Sequence, residues 1–267
     1  MTAPSPSAWT RKIWNRYNYY ICKKDNIFMT EENLNIKIFI CNPFKENCYL
    51  VWDGSGEGVI VDPGCYDDSE YKILKEYIAS VNVSIKAVWL THGHFDHIFG
   101  VAHVLKDWNV PVYMDAADKL ILSHDAEFAS GAGLNIPDVT FPTQDIHEGD
   151  ILRFGNSVFK VISTPGHTPG GVCYSGETCH VIFTGDTLFA GAIGRTDLLE
   201  GDYDKLIVGI MDKIMGLPGD TDVLPGHGGK STIARERTNN PFLQPFNEPG
   251  EDEDFEDEEG IELNGNI

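Results

Sequence analysis

Residues 90–97, with the sequence LTHGHFDH, contain four side chains that can bind a metal ion. The segment follows an apolar run that is typical of a buried strand. Since side chains two apart on an extended backbone point the same way, we expect His92 and His94 to face one ion. Asp96 and His97 open the next predicted helix, where the chain turns towards a second ion. Imidazole and carboxylate ligands suit zinc, and also iron or manganese.

Three later segments each place one metal-competent residue in a glycine-bearing turn. They are His167 in TPGHTPG, Asp186 in FTGDT and His227 in LPGHGG. Each follows a short apolar run that is typical of a strand, and turns at strand ends can fix coordination geometry. A single His or Asp beside glycine is common in surface loops, but the same layout in three places favours ligands. Together with residues 92–97 they would complete a site for two ions.

The elements that must position these residues alternate between strands and helices from residue 36 onward. Strands are predicted at 36–40, 48–52, 58–61, 85–90, 110–114, 151–154, 158–162, 171–174, 181–184 and 223–224. Helices are predicted at 69–81, 97–108, 116–123, 203–215 and 232–237, with a surface loop over 125–145. Two groups of strands, each followed by helices, predict two packed sheets covered by helices on the outside.

Charge and composition limit the classes of function. The formal net charge of -21 over 267 residues disfavours nucleic-acid binding, because the phosphates would be repelled. The sequence lacks an apolar run long enough to cross a bilayer and a recognisable secretory leader, so a cytoplasmic protein without a membrane partner is expected. The six cysteines form no CxxC pair and are expected to be reduced thiols acting as small hydrophobic residues.

Three parts of the chain are predicted. Residues 1–33 are predicted to form an N-terminal extension, either disordered or non-native, and residues 34–246 to form the domain that contains the candidate ligands. Residues 247–267 are dominated by Asp and Glu, whose mutual repulsion predicts a disordered acidic tail.

The set THGHFDH, PGHTPG, TGDT and PGHG resembles the metallo-β-lactamase superfamily. The stretches GDTLF, IGRTDL and NPFL resemble its compact bacterial glyoxalase II-like hydrolases more specifically. This resemblance covers roughly residues 34–246. It implies an α+β fold, an αββα four-layer sandwich in which two mixed β-sheets are flanked by helices.

The resemblance also implies a role for each site residue. The first metal ion would be bound by His92, His94 and His167, and the second by Asp96, His97 and His227. Asp186 would bridge the two ions, and Asp62 would support a ligating histidine by accepting its hydrogen bond. The cofactors would be two divalent metal ions, most commonly zinc, with iron or manganese as alternatives.

Two such ions can activate a shared water to attack an acyl carbon, with Asp96 holding or accepting the proton of that water. A thiolate leaves readily, so no nucleophilic serine is needed, consistent with the absence of a G-x-S-x-G motif. The expected partner is a small-molecule thioester such as an S-2-hydroxyacylglutathione. Arg195 could bind a substrate carboxylate, or instead form a structural salt bridge with Asp197 or Glu200.

Other activities remain open within the same superfamily. A persulfide dioxygenase would bind one iron, which the resemblance assigns to His92, His167 and Asp186. A lactone or other ester hydrolase is a further alternative. A β-lactamase is disfavoured, because the bridging Asp186 is atypical of lactamases and no export signal is visible. A non-catalytic binding module would require a vestigial metal site, although every ligand position is filled.

Overall fold

The computed structural model describes residues 27–29, 34–124, 140–176 and 178–244. Its N-terminal sheet has seven strands that are neighbours in chain order. They are β1 Ile27–Met29, β2 Asn35–Cys41, β3 Glu46–Trp52, β4 Glu57–Val61, β5 Ser84–Trp89, β6 Val112–Tyr113 and β7 Thr143–Gln144. The pairs from β1 to β4 are antiparallel and those from β4 to β7 are parallel, so this sheet is mixed.

The C-terminal sheet has six strands in the spatial order β15-β14-β11-β10-β9-β8. They are β8 Ile151–Phe154, β9 Ser157–Ser163, β10 Val172–Gly176, β11 Val181–Gly185, β14 Asp222–Pro225 and β15 Ser231–Thr232. Only the β11–β14 pair is parallel in this sheet, which is therefore also mixed. A separate small hairpin joins β12 Leu188–Phe189 to β13 Ala192–Ile193.

Five α-helices lie wholly within the described residues: α1 Asp68–Ser80, α2 Phe95–Ile98, α3 Val101–Trp108, α4 Tyr203–Gly209 and α5 Ile233–Asn239. Local sequence explains the longest of them. The carboxylate of Asp67 caps α1 by accepting hydrogen bonds from the backbone of Ser69 and Glu70. Apolar side chains three and four positions apart give the helix one buried face, formed by Tyr71, Leu74 and Ile78.

Three apolar layers separate four structural layers. One lies between the N-terminal sheet and helices α1 to α3, and a second lies between the two sheets. The third lies between the C-terminal sheet and helices α4 and α5. The predicted αββα sandwich of two mixed sheets is therefore confirmed.

Some elements differ from the sequence predictions. The helix predicted over 97–108 is divided at Phe99 and Gly100 into α2 and α3, because the chain bends where Gly100 packs against Pro63 and Cys65. The helix predicted over 203–215 continues past α4 as a π-helical turn, Ile210–Ile214. The hairpin of β12 and β13 was not predicted, since two-residue strands are too short for a periodic signal.

The described residues cover only part of the predicted domain boundaries. Strand β1 pairs with β2 through Phe28 and Ile36, so the sheet begins before residue 34, the predicted start of the domain. The rest of the predicted extension and the predicted acidic tail, residues 247–267, lie outside the described residues. Most of the predicted 125–145 loop does as well, and its described end contributes β7. Among the described helices, none is long and apolar enough to span a bilayer.

Candidate metal centre

The candidate ligands lie in turns at one edge of the sandwich. Strands β4 and β5 are parallel, and their carboxyl ends lead into Asp62 and into the segment that begins at His92. In the C-terminal sheet β9, β11 and β14 run in one direction, because β10 is antiparallel to both β9 and β11 while β14 is parallel to β11. Their carboxyl ends lead into His167, Asp186 and His227. The turns that follow these five strands, two from the N-terminal sheet and three from the C-terminal sheet, therefore lie close together.

The first group of ligand-type side chains is His92, His94 and His167. All three are buried, and one ring nitrogen from each lies within 4.8 Å of the others. Nδ1 of His94 is 2.9 Å from Nε2 of His167, which shows which ring atoms face the centre of the group. The structure thus brings together the three residues that were assigned to a first metal ion.

The second group is Asp96, His97 and His227, whose donor atoms also lie within 4.8 Å of one another. Nε2 of His227 is 3.2 Å from Oδ2 of Asp96, and Nε2 of His97 is 3.9 Å from the same oxygen. These are the three residues that were assigned to a second metal ion.

Asp186 lies between the two groups. Its Oδ1 is 3.4 Å from Nε2 of His97, and its Oδ2 is 3.5 Å from Nε2 of His167 and 3.7 Å from Nε2 of His227. It also forms a third potential metal-binding group with His92 and His97. One carboxylate therefore contacts members of both groups, as a bridging ligand must.

The unsatisfied polar atoms of the centre fit metal ions. Nε2 of His92, Nε2 of His97 and Oδ1 of Asp186 are buried without a hydrogen-bond partner. Leaving such atoms unpaired costs about 1–3 kcal/mol each. All three belong to residues that face the same centre, and imidazole nitrogen and carboxylate oxygen are ordinary ligands of zinc and iron. The donor set and its orphaned atoms therefore suit divalent ions.

Protonation divides the histidines into two classes. Burial lowers the pKa of His92 well below its usual value and that of His94 to about 3, so both rings are neutral at pH 7. Burial would also lower the pKa of His97, but the carboxylates of Asp186 and Asp96 outweigh it and raise that pKa well above 6.5. Burial likewise opposes a charge on His227, yet Asp96 and Asp186 raise its pKa. In the metal-free protein, the positive charge of these two protonated rings balances the negative charge of the two carboxylates.

Asp62 lies beside the centre and contacts His97 and Thr91, while its predicted role in supporting a bound metal ion remains a prediction. It directly follows β4 and adopts a left-handed backbone conformation with φ of 46°. Its Oδ2 lies 3.0 Å from Nδ1 of His97 and accepts a hydrogen bond of 2.6 Å from the hydroxyl of Thr91, while its Oδ1 accepts from the Thr91 backbone. The Thr91 hydroxyl is in turn 3.0 Å from Nδ1 of His92. The carboxylate thus holds one histidine directly and another through Thr91.

Asn47 is a positioning residue that the sequence alone did not reveal. Its buried amide donates to the carbonyls of Pro225 and Gly228, on either side of His227, at 2.9 Å each. Its backbone N–H donates to the carbonyl of Gly226. The Asn47 side chain therefore holds the turn that carries His227, and nothing in its spacing from the other motifs indicated this.

Asp118 plays the corresponding part for the first histidine group. Its fully buried carboxylate accepts hydrogen bonds from the backbone of Gly93 and Gly170 and from the hydroxyl of Thr168. Burial raises the pKa of this carboxyl although those three donors oppose the rise. The carboxylate joins the turn of His92 and His94 to the turn of His167. In the sequence it is one acidic residue within a predicted helix.

Glycine is required where two ligand turns approach each other. A Cβ at Gly226 would lie 2.6 Å from Cε1 of His97 and even closer to Oδ1 of Asp186. Any side chain at residue 226 would therefore displace groups at the heart of the centre. The glycine preceding His227 is thus required by its close packing against the candidate ligands.

Arg195 contributes its backbone to the centre. Its carbonyl oxygen is 2.8 Å from Nδ1 of His167, which orients that ring. Its exposed guanidinium forms a two-pronged ion pair with Asp197 at 2.8 and 2.9 Å. The structure therefore shows the predicted salt bridge with Asp197, while a role in binding substrate remains a prediction.

This chain is similar to known proteins in both sequence and structure. The family model of the metallo-beta-lactamase superfamily matches residues 41–232. Hydroxyacylglutathione hydrolase GloC of Haemophilus influenzae is 36% identical over 212 residues, which cover 79% of this chain and 98% of that protein. The crystal structure of BLEG-1 B3 metallo-beta-lactamase is 35% identical with a TM-score of 0.71, covering 78% of this chain and 99% of that one.

A further solved structure, TTHA1623 in a di-iron-bound form, is 36% identical with a TM-score of 0.68 and covers 76% of this chain and 98% of that one. The matched region contains every residue of the two ligand groups and Asp186. The chain therefore belongs to the metallo-β-lactamase superfamily, whose members are generally metal-dependent hydrolases.

Proposed function

We propose that this protein hydrolyses thioesters of the S-2-hydroxyacylglutathione class with two divalent metal ions. The observation that carries the proposal is the placement of Asp186 between two complete groups of three ligands. Similarity to a hydroxyacylglutathione hydrolase over nearly all of that protein's length supports the choice of substrate class.

In this proposal His92, His94 and His167 bind one ion and Asp96, His97 and His227 bind the other, with Asp186 shared. Two bound ions would supply Lewis acidity, which would lower the pKa of a water molecule and polarise a substrate carbonyl. Zinc is the proposed metal, and the nitrogen and oxygen donors of both groups suit it. Iron is the main alternative, since a similar structure carries two iron ions.

The proposed role of Asp96 is to hold the attacking water and to accept its proton. Burial would raise the pKa of Asp96, but His97 and His227 lower it below its usual value, so the carboxylate is ionised at neutral pH. Its side chain keeps 13% of its surface exposed, so solvent can reach it. An ionised carboxylate at this place can accept a hydrogen bond from water and orient it towards an acyl carbon.

The leaving group needs little assistance. A thiolate departs without prior protonation far more readily than an alkoxide, so no general acid has to be assigned. Arg195 lies beside His167 and is proposed to bind a carboxylate on the thiol portion of the substrate, exchanging its pairing with Asp197 for the substrate. Its planar fork suits that two-pronged contact.

The test measures free thiol released from an S-2-hydroxyacylglutathione by the full chain, loaded in parallel with zinc and with iron. We expect turnover by the loaded protein and none by His92→Ala. His147→Ala is the matched control, because this exposed histidine pairs with Asp145 and belongs to neither ligand group. Thiol release by His92→Ala at the rate of the parent protein would reject the proposal.

Two other activities are tested with the same preparation. A persulfide dioxygenase would use one iron on His92, His167 and Asp186, and would consume oxygen in the presence of a glutathione persulfide. That arrangement gives no role to the second group, Asp96, His97 and His227, which the structure nevertheless brings together. A metal content of one iron per chain with oxygen uptake would replace the hydrolase proposal.

β-Lactam hydrolysis belongs in the substrate panel because BLEG-1, a protein with that family name, is 35% identical. The bridging position of Asp186 favours thioesters over β-lactams in our proposal. Faster cleavage of a β-lactam than of the thioester would reverse that preference without changing the ligand assignments.

A further inference from the structure

Three buried thiols lie together behind the histidine and aspartate centre. Sγ of Cys41 is 3.5 Å from Sγ of Cys65, and Sγ of Cys48 lies within 4.8 Å of both. Around a tetrahedral ion with metal–sulfur bonds of about 2.3 Å, sulfur atoms lie about 3.8 Å apart. The three sulfurs thus already have nearly the separations that a single ion requires.

The fold brings these thiols together from three separate segments. Phe39 pairs with Cys48 and Cys41 pairs with Glu46, so Cys41 and Cys48 project from the same face of the N-terminal sheet. Cys65 follows β4 through the turn that begins at Asp62, and it packs against Gly100 at the start of α3. All three belong to the apolar layer between this sheet and its helices.

Glu46 adds an acidic group to the same face. Its side chain is fully buried, and neither of its carboxylate oxygens has a hydrogen-bond partner. The carboxylate packs against Gly64, the residue before Cys65. Burial raises the pKa of this carboxyl group well above its usual value, which favours its neutral form, so Glu46 adds no further negative charge beside the three thiols.

We propose that Cys41, Cys48 and Cys65 form a third metal site, which binds one thiophilic divalent ion such as zinc and is separate from the catalytic ligands. Binding breaks three S–H bonds, forms three sulfur–metal bonds and releases three protons to solvent, with no change of oxidation state. The three thiolates and the ion leave one net negative charge. The site is structural, because the sulfurs are buried and offer no route for a substrate.

Softness of the ligands separates this site from the catalytic one. Thiolates select zinc, cadmium and copper(I), whereas imidazole and carboxylate ligands also accept iron and manganese. Cobalt(II) distinguishes the two by spectroscopy, because only thiolate ligation produces an intense near-ultraviolet charge-transfer band. A signal in that band therefore reports on the cysteines even when the catalytic ligands also hold cobalt.

The experiment uses the full chain, refolded from denaturant with excess cobalt(II) under a phosphine reductant, since buried sulfurs are best loaded during folding. After chelator treatment we expect the thiolate band and one cobalt equivalent that resists removal. Cys65→Ser should lose both. The control is Cys173→Ser, a fully buried thiol whose contacts are Thr164 and the carbonyl of Thr184, and it should keep both.

Absence of the band in the parent protein overturns the proposal, and so does its persistence in Cys65→Ser. If Cys65→Ser does not fold, Cys41→Ser takes its place as the variant. The measurement on the parent chain decides the proposal in either case. The result is independent of thioester hydrolysis, because the readout is a cysteine-specific spectrum rather than turnover.

Discussion

Oδ2 of Asp62 lies 3.0 Å from Nδ1 of His97 and also accepts a hydrogen bond from the Thr91 hydroxyl. This one oxygen fixes a ring of the second ligand group and a side chain that contacts His92 of the first. Once His97 has lost its second proton, this contact favours the tautomer with its proton on Nδ1, which leaves Nε2 free to face the centre.

Replacing Asp62 should therefore weaken metal binding. We expect Asp62→Asn to lower metal affinity by about 10–100-fold, because an amide offers a single acceptor oxygen in place of two. Asparagine tolerates the left-handed backbone at this position, so the effect should not arise from strain. Competition with a chromophoric chelator measures the affinity. Asp67→Asn is the control, as asparagine caps helix α1 equally well; equal losses in both variants would contradict the role of Asp62.

The Asn47 side chain should matter most for the second ligand group. Asn47→Asp removes two donors from the carbonyls beside His227, and we expect a loss of about 1–3 kcal/mol in the free energy of unfolding. Binding of the second ion should weaken more than binding of the first, as measured by stepwise calorimetric titration. Tyr49→Phe provides a graded comparison, because its hydroxyl donates only to the Pro225 carbonyl. A larger loss of stability or of affinity for the second ion in Tyr49→Phe than in Asn47→Asp would contradict this prediction.

Asp118→Asn should affect the first ligand group more than the second, the reverse of the effect expected for Asn47→Asp. Its carboxylate joins Gly93, Thr168 and Gly170, and an amide would direct its NH₂ group at one of those donors. We expect a loss of about 1–3 kcal/mol in stability and weaker binding of the first ion relative to the second. The same titration tests both variants, and an identical pattern in Asn47→Asp and Asp118→Asn would show that the two groups are not supported separately.

The metal-free protein should lose stability as pH rises above about 6.5 and through the raised pKa of His97. The pKa of His97 in the folded state is raised well above 6.5, mainly by Asp186 and Asp96 against the opposing effect of burial. The folded protein then binds more protons than the unfolded chain, so the stabilisation is complete below the unfolded pKa and declines as pH rises through the folded one.

Metal should reverse that dependence near pH 6.5, because a ligating His97 has given up its proton before unfolding occurs. Urea unfolding at several pH values, with and without zinc, measures both slopes. His97→Asn should flatten the slope of the metal-free protein. A metal-free slope that is flat in the parent protein would show that the carboxylates do not hold a proton on His97.

Arg195 should affect substrate affinity rather than the metal ions. Since its contact with His167 is made by the backbone, Arg195→Ala should retain full metal content and kcat. We expect KM for a glutathione thioester to rise by up to roughly five-fold, the range of an exposed ion pair. A thioester without a carboxylate on its thiol should be unaffected. An equal rise in KM for both substrates would exclude carboxylate binding by Arg195.

Local sequence determined much of this protein. Apolar runs that end in glycine turns predicted the strands and the positions of His167, Asp186 and His227 at strand ends, because periodicity and turn chemistry are properties of neighbouring residues. The spacing of His92, His94, Asp96 and His97 predicted a compact ligand cluster for the same reason. Two packed sheets with outer helices also follow from element order, whereas the mixed strand directions were implied by the family resemblance.

Tertiary structure decided which distant residues support the ligands. Asn47 lies 178 and 181 residues before Pro225 and Gly228, yet its amide reaches the carbonyls of both, on either side of His227. Asp118, Glu46 and the three thiols are likewise joined only by the packing of separate turns and strands. Single residues of common type leave no periodic signal, because their partners are set by how the sheets and helices pack. Sequence thus predicted which candidate ligands cluster, and the packing of strand ends determined what holds them in place.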